Sequence, residues 1–262
     1  MLKTSSLIAL IALPLLTASN QTSQPALRTQ DIQTTKNVEN TLTAEERAKG
    51  WRLLFDGKST SGWRGFKQQA PPAGWQVVDG ALTRVGSGGD LMTVDQFGSF
   101  ELQLEWKIAP GGNSGIMFHV SEDEAETYYT GPEVQVLDNG GHRDGKDPLT
   151  SAGACYALYA PSKDMTRPPG TWNAVRLVVN GSRVQHWLNG TKVVEYDMAS
   201  DEWKKKVAAS KFNEWPKFGT LREGYIVLQD HGDRVAYRNV KIRVLKSGAG
   251  GRWPGAGTGL AE

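Results

Sequence analysis

The feature that most restricts the fold of this chain is the strict alternation of residue types from Phe100 to Ile108. Every second residue of this stretch is large and apolar, and the residues between them are Glu, Gln or Lys. A period of two is that of a β-strand with one face in a core and the other in water. Strands of this kind belong to sheets packed on one side only, so the stretch predicts an antiparallel β protein.

Turn signals extend this prediction along the chain. Asp79-Gly80, Asn180-Gly181 and Asn189-Gly190 each separate two short apolar runs, and such dipeptides favour the type I′ turns of β-hairpins. The last two turns would join three strands between Asn173 and Tyr196 into a meander. About a dozen short strands of this kind predict an all-β fold, a two-sheet antiparallel β-sandwich.

Two short stretches interrupt the β pattern and predict one or two peripheral helices. Thr43 and Glu46 have the spacing of a capping box, which predicts a short helix behind Thr43. Ser200 precedes an acidic first turn and a run of good helix formers up to Ser210, which predicts a surface helix. We assign residues 43–247 to a single sandwich domain.

The two ends of the chain differ from this domain in composition. Residues 1–19 combine a positive start, an apolar run and small residues, as in a secretory signal peptide, and no lipoprotein-type cysteine follows. Residues 20–42 are rich in Ser, Thr and Gln, and residues 248–262 are rich in Gly. We therefore expect a disordered linker, a disordered tail and a periplasmic or secreted protein.

The composition of the chain restricts the kinds of partner that we expect. The 30 Lys and Arg residues nearly balance the 28 Asp and Glu residues, so no nucleic-acid partner is expected. The N-terminal apolar run is too short to span a bilayer. Nine Trp residues suit both sandwich cores and platforms that stack on sugar rings. The single cysteine, Cys155, excludes an intramolecular disulfide and predicts a small buried side chain.

The first part of the candidate site is a strand that begins at Glu133. Alternation places the valines at 134 and 136 on one face, and Glu133 and Gln135 on the other. Because Asn139-Gly-Gly141 ends the strand, Asp138 and His142 lie where the chain turns, close to the polar face. These side chains form a cluster of groups able to exchange protons.

A second polar strand end follows later in the chain. Gln229 and His231 share one face of a strand that ends at Gly232. Asn113 lies at a turn into another strand, where it caps the backbone or touches a ligand. In the last strand, Arg238 is expected on the same face as the inward-facing Val240.

Together these carboxylate, amide and imidazole groups could support acid–base chemistry on a carbohydrate, the small-molecule partner that we expect. The sequence shows no metal-ligand spacing, phosphate loop or nucleophile elbow, so no cofactor is expected. A divalent ion beside Glu133 and Asp138 stays open, as does the oligomeric state. For His119 and His186 we expect structural roles.

Eight ordered segments between Trp51 and Leu245 form a specific pattern. They are Leu54-Phe-Asp-Gly57 with Gly62-Trp63, Glu105-Trp-Lys107, Asn113-Ser-Gly-Ile116, Glu133-Val-Gln-Val-Leu-Asp-Asn139, Trp187-Leu-Asn-Gly190, Ala208-Ala-Ser-Lys-Phe212, Leu228-Gln-Asp-His-Gly232 and Arg238-Asn239. On these segments the chain resembles the 3-keto-disaccharide hydrolase family. One departure is His119, where that family is expected to carry an arginine.

The resemblance implies a jelly-roll sandwich similar to concanavalin A-like lectins and glucanases, and the cleavage of 3-keto-glycosides. In such a sugar the ketone acidifies the C2 proton, a base removes it, and the enolate expels the C1 substituent before water adds. From side-chain chemistry, Glu133 or His231 is the base and the other is the acid. Candidates for the carbonyl and for other substrate contacts are Lys107, Gln229, Arg238, Asn113, Gln135, Asp138 and His142.

Two alternatives stay open. Glu133, Gln135 and Asp138 are similar in spacing to the Glu-x-Asp-x-x-Glu pattern of laminarinase-like retaining glucanases, in which two carboxylates act together. In this chain an amide replaces the middle acid and an aspartate replaces the last glutamate. The other alternative is a carbohydrate-binding module without catalysis, since sandwich folds often only bind.

Overall fold

The computed structural model describes residues 39–246. Within this range the α-helices are α1 (Ala44–Ala48) and α2 (Asp201–Ala208), and short 3-10 helices lie at Thr127–Tyr129, Arg143–Lys146, Pro148–Thr150 and Lys211–Glu214. The strands are β1 (Arg52–Leu53), β2 (Trp63–Gly65), β3 (Trp75–Val78), β4 (Ala81–Arg84), β5 (Leu91–Phe97), β6 (Phe100–Ile108), β7 (Asn113–Val120), β8 (Glu133–Leu137), β9 (Asn173–Asn180), β10 (Arg183–Leu188), β11 (Thr191–Asp197), β12 (Gly224–Leu228) and β13 (Val235–Val244).

The strands form two antiparallel sheets. The large sheet has eight strands in the order β11-β10-β9-β6-β13-β4-β3, with β1 paired to β13. The small sheet has five strands in the order β2-β5-β12-β7-β8. This architecture confirms the two-sheet antiparallel sandwich.

The core lies between the sheets and follows the alternation seen in the sequence. The apolar residues of β6 are at most 2% exposed. They share one cluster with apolar residues of the small sheet, among them Phe118, Val134 and Ile226. The polar residues of β6 consequently point to the outer face of the large sheet. Cys155 is also fully buried, as predicted.

Two of the three hairpin turns have the type that the sequence predicts. Both residues of Asp79-Gly80 and of Asn189-Gly190 have positive φ, as a type I′ turn requires. The prediction for Asn180-Gly181 is wrong by one residue, because Asn180 pairs with Arg183 and leaves Gly181 and Ser182 as the loop. Gly181 alone has positive φ there, which is typical of a type II′ turn.

The predicted helices are present with their caps. The Thr43 hydroxyl accepts from the Glu46 N–H group, and the Glu46 carboxylate accepts from the Thr43 N–H group, which completes the capping box. The Ser200 hydroxyl caps α2 by accepting from the Trp203 N–H group at 3.1 Å.

Helix α2 is tied to the core by a row of stacked rings. The indole ring of Trp203 is buried between the rings of Tyr196 at 5.2 Å and Phe218 at 6.1 Å. Phe218 in turn stacks on Phe212 at 3.9 Å, in the 3-10 helix that follows α2. The segment after α2 is therefore fixed against the sandwich.

Strand β13 contains a bulge that contradicts the face predicted for Arg238. The pairing with β6 shifts register between Arg238 and Lys241, and Asn239 has a φ of 54°. The extra residue puts Tyr237 and Val240 together in the core and turns Arg238 to the outer face of the large sheet.

Residues just before the predicted boundary at 43 also contact the sandwich. Asn40, assigned to the linker by the sequence, is buried. Its N–H group donates to Asn239 Oδ1, its Oδ1 atom accepts from the Asn239 N–H group, and its Nδ2 atom donates to the Gly80 carbonyl. The predicted signal peptide, most of the linker and the tail lie outside the described residues. Within 39–246, no helix has the length and apolar character needed to cross a membrane.

Candidate active site

A cleft of about 380 Å³ opens on the outer face of the small sheet, at the ends of β7, β8 and β12. We call it the Glu133 cleft. The sequence-predicted residues that line it are Asn113, Glu133, Gln135, Gln229 and His231. The lining residues that the sequence analysis missed are Tyr128, Tyr156, Lys211, Phe212 and Trp215.

The position of Glu133 depends on the strand beside it. Val134 and Val136 are fully buried in the core, so Glu133 and Gln135 point outward, as predicted. Gly115 of β7 lies opposite Gln135. A Cβ atom built on Gly115 would lie 1.8 Å from Glu133 Oε1. The glycine therefore leaves the space that the Glu133 carboxyl group occupies.

Burial controls the charge of Glu133. Desolvation raises its pKa to about 8, against the opposing influence of the Lys211 ammonium group. The charges of Asp90 and Asp144 raise it further. Within residues 39–246, no group donates a hydrogen bond to this carboxyl group. At neutral pH the Glu133 side chain is consequently protonated in most molecules.

Three amide side chains face the same space. Asn113 Oδ1, Gln135 Oε1 and Gln229 Oε1 are buried, and none of them has a hydrogen-bond partner in the described part of the chain. Gln135 Nε2 donates to the Thr150 carbonyl at 3.2 Å. A buried acceptor without a partner costs about 1–3 kcal/mol. Three of them in one cleft are acceptor positions that the hydroxyl groups of a ligand or water can fill.

His231 lies exposed at the rim of the cleft, on a turn that other groups hold in place. Its Nε2 atom is 3.5 Å from Asn113 Nδ2, and its ring meets the His142 ring edge-on at 6.3 Å. Asp90 accepts from the Asp230 N–H group at 2.8 Å, and the Asp230 carboxylate pairs with Arg84. These contacts fix the backbone between Gln229 and His231.

Asp138 and His142 lie close to the cleft but do not line it. The Asp138 carboxylate accepts from the N–H groups of Gly111 at 2.7 Å and Gly140 at 3.1 Å. His142 Nδ1 accepts from the Asp144 N–H group at 3.1 Å and caps a 3-10 helix. Both side chains serve the turn after β8, and the expected contact of each with substrate stays a prediction.

Lys107 and Arg238 are on the opposite side of the sandwich from Glu133. Both cations lie over the Trp172 ring, at 4.7 Å and 4.1 Å, in a separate cleft of about 500 Å³ on the large sheet. Arg238 also donates to Glu105 at 2.7 Å. Packed sheets are about 10 Å apart, and these side chains point away from the small sheet. They cannot share a small sugar with Glu133, which corrects their predicted role.

The two structural histidines are buried, as predicted. Each ring bonds a backbone carbonyl, that of Gly98 for His119 and that of Gly153 for His186. Burial lowers the pKa of both, that of His186 to about 4. Neither lines the Glu133 cleft.

Aromatic rings and one lysine complete the cleft. Trp215 stacks on Tyr129 at 4.4 Å and meets Tyr128 edge-on at 5.4 Å. Lys211 Nζ lies 4.5 Å from the centre of the Tyr156 ring. Burial is the main cause that raises the pKa of Tyr156 to about 12. The segment 208–212 matched the family pattern, and it was the available signal for Lys211.

No group of three or more His, Cys, Asp or Glu side chains in the described chain is placed to hold a metal ion. The sequence left open a divalent ion beside Glu133 and Asp138. Both Asp138 oxygens accept from backbone N–H groups, and Asp138 does not line the cleft with Glu133.

Comparisons with known proteins give a consistent assignment. Residues 50–243 match the model of a family described as the 3-keto-alpha-glucoside-1,2-lyase-like domain. The chain is 34% identical, over 230 residues, to a Bacteroides thetaiotaomicron protein named 3-keto-disaccharide hydrolase. The match covers 76% of this chain and 79% of that protein.

Solved structures show the same fold. A Parabacteroides distasonis protein assigned to the glycosyl hydrolases superposes with a TM-score of 0.75 and 36% identity, covering 79% of this chain and all of that one. A second protein of that organism, with the same assignment, has a TM-score of 0.60 and 27% identity, covering 74% of this chain and 99% of its own. The chain belongs to the 3-keto-alpha-glucoside-1,2-lyase-like family.

Proposed function

We propose that this protein is a carbohydrate-active enzyme that cleaves the glycosidic bond of 3-keto-glycosides, including 3-keto-disaccharides. The observation that carries the proposal is a buried carboxyl group, with a pKa that burial raises to about 8, in one cleft with three unpartnered amide oxygens. The family description and the name of the Bacteroides relative support a sugar substrate and the 3-keto position.

The reaction starts at C2 of the oxidised sugar. A base removes the C2 proton, and the electrons of that bond form an enolate with its charge on the C3 oxygen. The enolate then re-forms the ketone, makes a C1=C2 double bond and breaks the C1–O bond, while the leaving oxygen takes up a proton. Addition of water, with hydroxyl at C1 and hydrogen at C2, gives net hydrolysis. The sequence of steps needs one base and one acid.

We assign the acid to Glu133 and the base to His231. Glu133 holds a proton at neutral pH because burial raises its pKa to about 8, and such a group can give that proton to the leaving oxygen. His231 lies exposed at the rim of the same cleft, and imidazole is the side chain used most often as a base in enzymes.

The remaining lining residues fit sugar binding. The free oxygens of Asn113, Gln135 and Gln229 accept from hydroxyl groups. Tyr128 and Trp215 offer flat apolar surface, against which the ring faces of sugars pack.

The carboxyl groups of the cleft do not have the arrangement that the glucanase alternative requires. A retaining glycosidase needs two carboxyl groups about 5 Å apart across the substrate. Glu133 is the only carboxylic residue that lines the cleft in the described chain, and Asp138 is engaged by backbone N–H groups. We therefore do not propose this reaction.

The experiment compares a 3-keto-disaccharide with the same disaccharide before oxidation, and follows sugar release by proton NMR. We expect release from the keto sugar alone. Glu133→Gln should lower the rate about 10²–10⁴-fold, whereas Glu202→Gln, on the exposed first turn of α2, should not. Equal rates on both sugars would indicate an ordinary glycosidase, and binding without release would indicate a carbohydrate-binding module.

The cellular location is a separate proposal. The sequence of residues 1–19 favours export. Determination of the mature N-terminus after expression of the full chain tests it, because an exported protein would start near residue 20.

A further inference from the structure

We infer that Lys211 binds the C3 oxygen of the substrate and stabilises the enolate. The inference rests on the proposed function, since only a C3 ketone gives that enolate. From the sequence, Lys107, Gln229 and Arg238 are the candidates for this task. Lys107 and Arg238 lie on the other face of the sandwich, and Gln229 lines the Glu133 cleft but carries no charge. Of the lysine and arginine residues in 39–246, Lys211 alone lines the Glu133 cleft.

The backbone of Lys211 is held firmly although its side chain is exposed. Lys211 begins a 3-10 helix that the Ser210 hydroxyl caps by accepting from the Phe212 N–H group at 3.2 Å. Phe212 is buried and stacks on Phe218 at 3.9 Å. Lys211, which lies between Ser210 and Phe212, is therefore anchored at the edge of the cleft. Its ammonium group lies 4.5 Å from the centre of the Tyr156 ring.

The Lys211 charge is not neutralised by an ion pair. No carboxylate oxygen of the described residues lies within 4.0 Å of its Nζ atom. Its charge nevertheless acts on Glu133, since it is the main influence that opposes burial and lowers the pKa of that carboxyl group. Lys211 and Glu133 line the same cleft without forming a salt bridge, so a substrate bound in the cleft can contact both.

The chemistry of the first step requires such a group. Removal of the C2 proton places a negative charge on the C3 oxygen, and a cationic donor positioned there stabilises the transition state more than the neutral ketone. The amide side chains in the cleft are neutral, and Glu133 would repel the enolate if it were ionised. Lys211 is the donor whose charge fits.

The test isolates this step with a sugar that has no leaving group. The substrate is 1,5-anhydroglucitol oxidised at C3, which carries hydrogen in place of the C1 substituent. In deuterium oxide, exchange of its C2 proton reports enolate formation, and NMR measures the rate. We expect Lys211→Met to slow the exchange about 10²–10³-fold, and Lys211→Arg to retain part of the rate because it keeps the charge.

Lys206→Met is the matched control. Lys206 Nζ also lies over a tyrosine ring, that of Tyr159 at 4.7 Å, but the residue does not line the cleft. We expect wild-type exchange from this variant. A second readout is the pH profile of cleavage: loss of the Lys211 charge raises the Glu133 pKa further, so the fall in rate at high pH moves to higher pH in Lys211→Met only.

The outcomes separate this inference from the proposed function. Exchange by the wild type at the same rate as by Lys211→Met would overturn the role of Lys211 and leave keto-sugar cleavage standing. A wild type that exchanges no C2 proton would overturn both. Slow exchange together with an unshifted pH profile in Lys211→Met would place the lysine away from Glu133 and the reacting oxygen, and would also overturn the inference.

Discussion

Gly115→Ala tests whether the exact placement of Glu133 matters. The new Cβ atom would lie 1.8 Å from Oε1, 2.6 Å from Cδ and 2.9 Å from Cγ of Glu133. Ordinary contact begins at 3.4 Å, so the carboxyl oxygen must retreat by about 1.6 Å. Because a displacement of about 1 Å can cost 10²-fold in rate, we expect kcat/KM on a 3-keto-disaccharide to fall by at least about 10²-fold.

The stability of this variant should change little. The backbone of Gly115 is not in the left-handed region, so alanine there gains about 0.4–1 kcal/mol by restricting the unfolded chain. A strained Glu133 rotamer costs about 0.5–1.5 kcal/mol. These two effects nearly offset each other, and the melting temperature should shift by only a few degrees.

Two further variants test whether activity depends on the position of Glu133. Gly86→Ala introduces the same methyl group outside the cleft, where the nearest atom is 3.7 Å away, and should leave kcat/KM unchanged. Glu133→Asp shortens the side chain that causes the clash, so adding Gly115→Ala to it should cost little more. Full activity of Gly115→Ala, or simple multiplication of the two losses, would refute the claimed dependence on the Glu133 position.

Four other predictions concern the same cleft. The rate of cleavage should fall as the pH rises through about 8, because Glu133 then loses the proton it donates; a rate that climbs through this range would make Glu133 the base. The raised pKa also means that ionisation above pH 4.5 favours the unfolded chain, so Glu133→Gln should raise the melting temperature at pH 8 but not at pH 4. Glu133→Gln combined with His231→Ala should be hardly slower than the worse single variant, since groups that serve one proton-transfer sequence act non-additively. Multiplication of the two losses in kcat/KM would argue against a shared mechanism. Asp90→Ala should free the turn before His231, lowering kcat/KM and costing about 1–3 kcal/mol in urea unfolding, whereas unchanged kinetics would show that the turn holds without it.

Much of the fold and part of the site could be predicted, because the alternation of apolar and polar residues in the sequence matches the alternation of buried and outward-facing side chains in the strands. The alternation in β6 reports the core face directly, and the same rule puts Glu133 and Gln135 outward. Gln229 and His231 reach the same cleft because β12 and β8 both flank β7 in the small sheet.

The errors have local physical causes. Arg238 was assigned to the inward face because one extra residue at Asn239 reverses the alternation, and nothing in the residue types marks a bulge there. The sequence also did not show that the Asp138 carboxylate accepts from a backbone N–H group, because its partner, Gly111, is distant in sequence. Lys211 was missed because its place depends on the stacking of Phe212 on Phe218, which only the folded chain brings together.

The row of stacked rings from Tyr196 through Trp203 and Phe218 to Phe212 has a consequence for how the protein unfolds on heating. The wall of the cleft is continuous with the core through these rings, so the wall and the sandwich form one cooperative unit. Within residues 39–246, this wall of the cleft is therefore expected to unfold together with the sandwich. Thermal inactivation and the change in tryptophan fluorescence should coincide in a single transition.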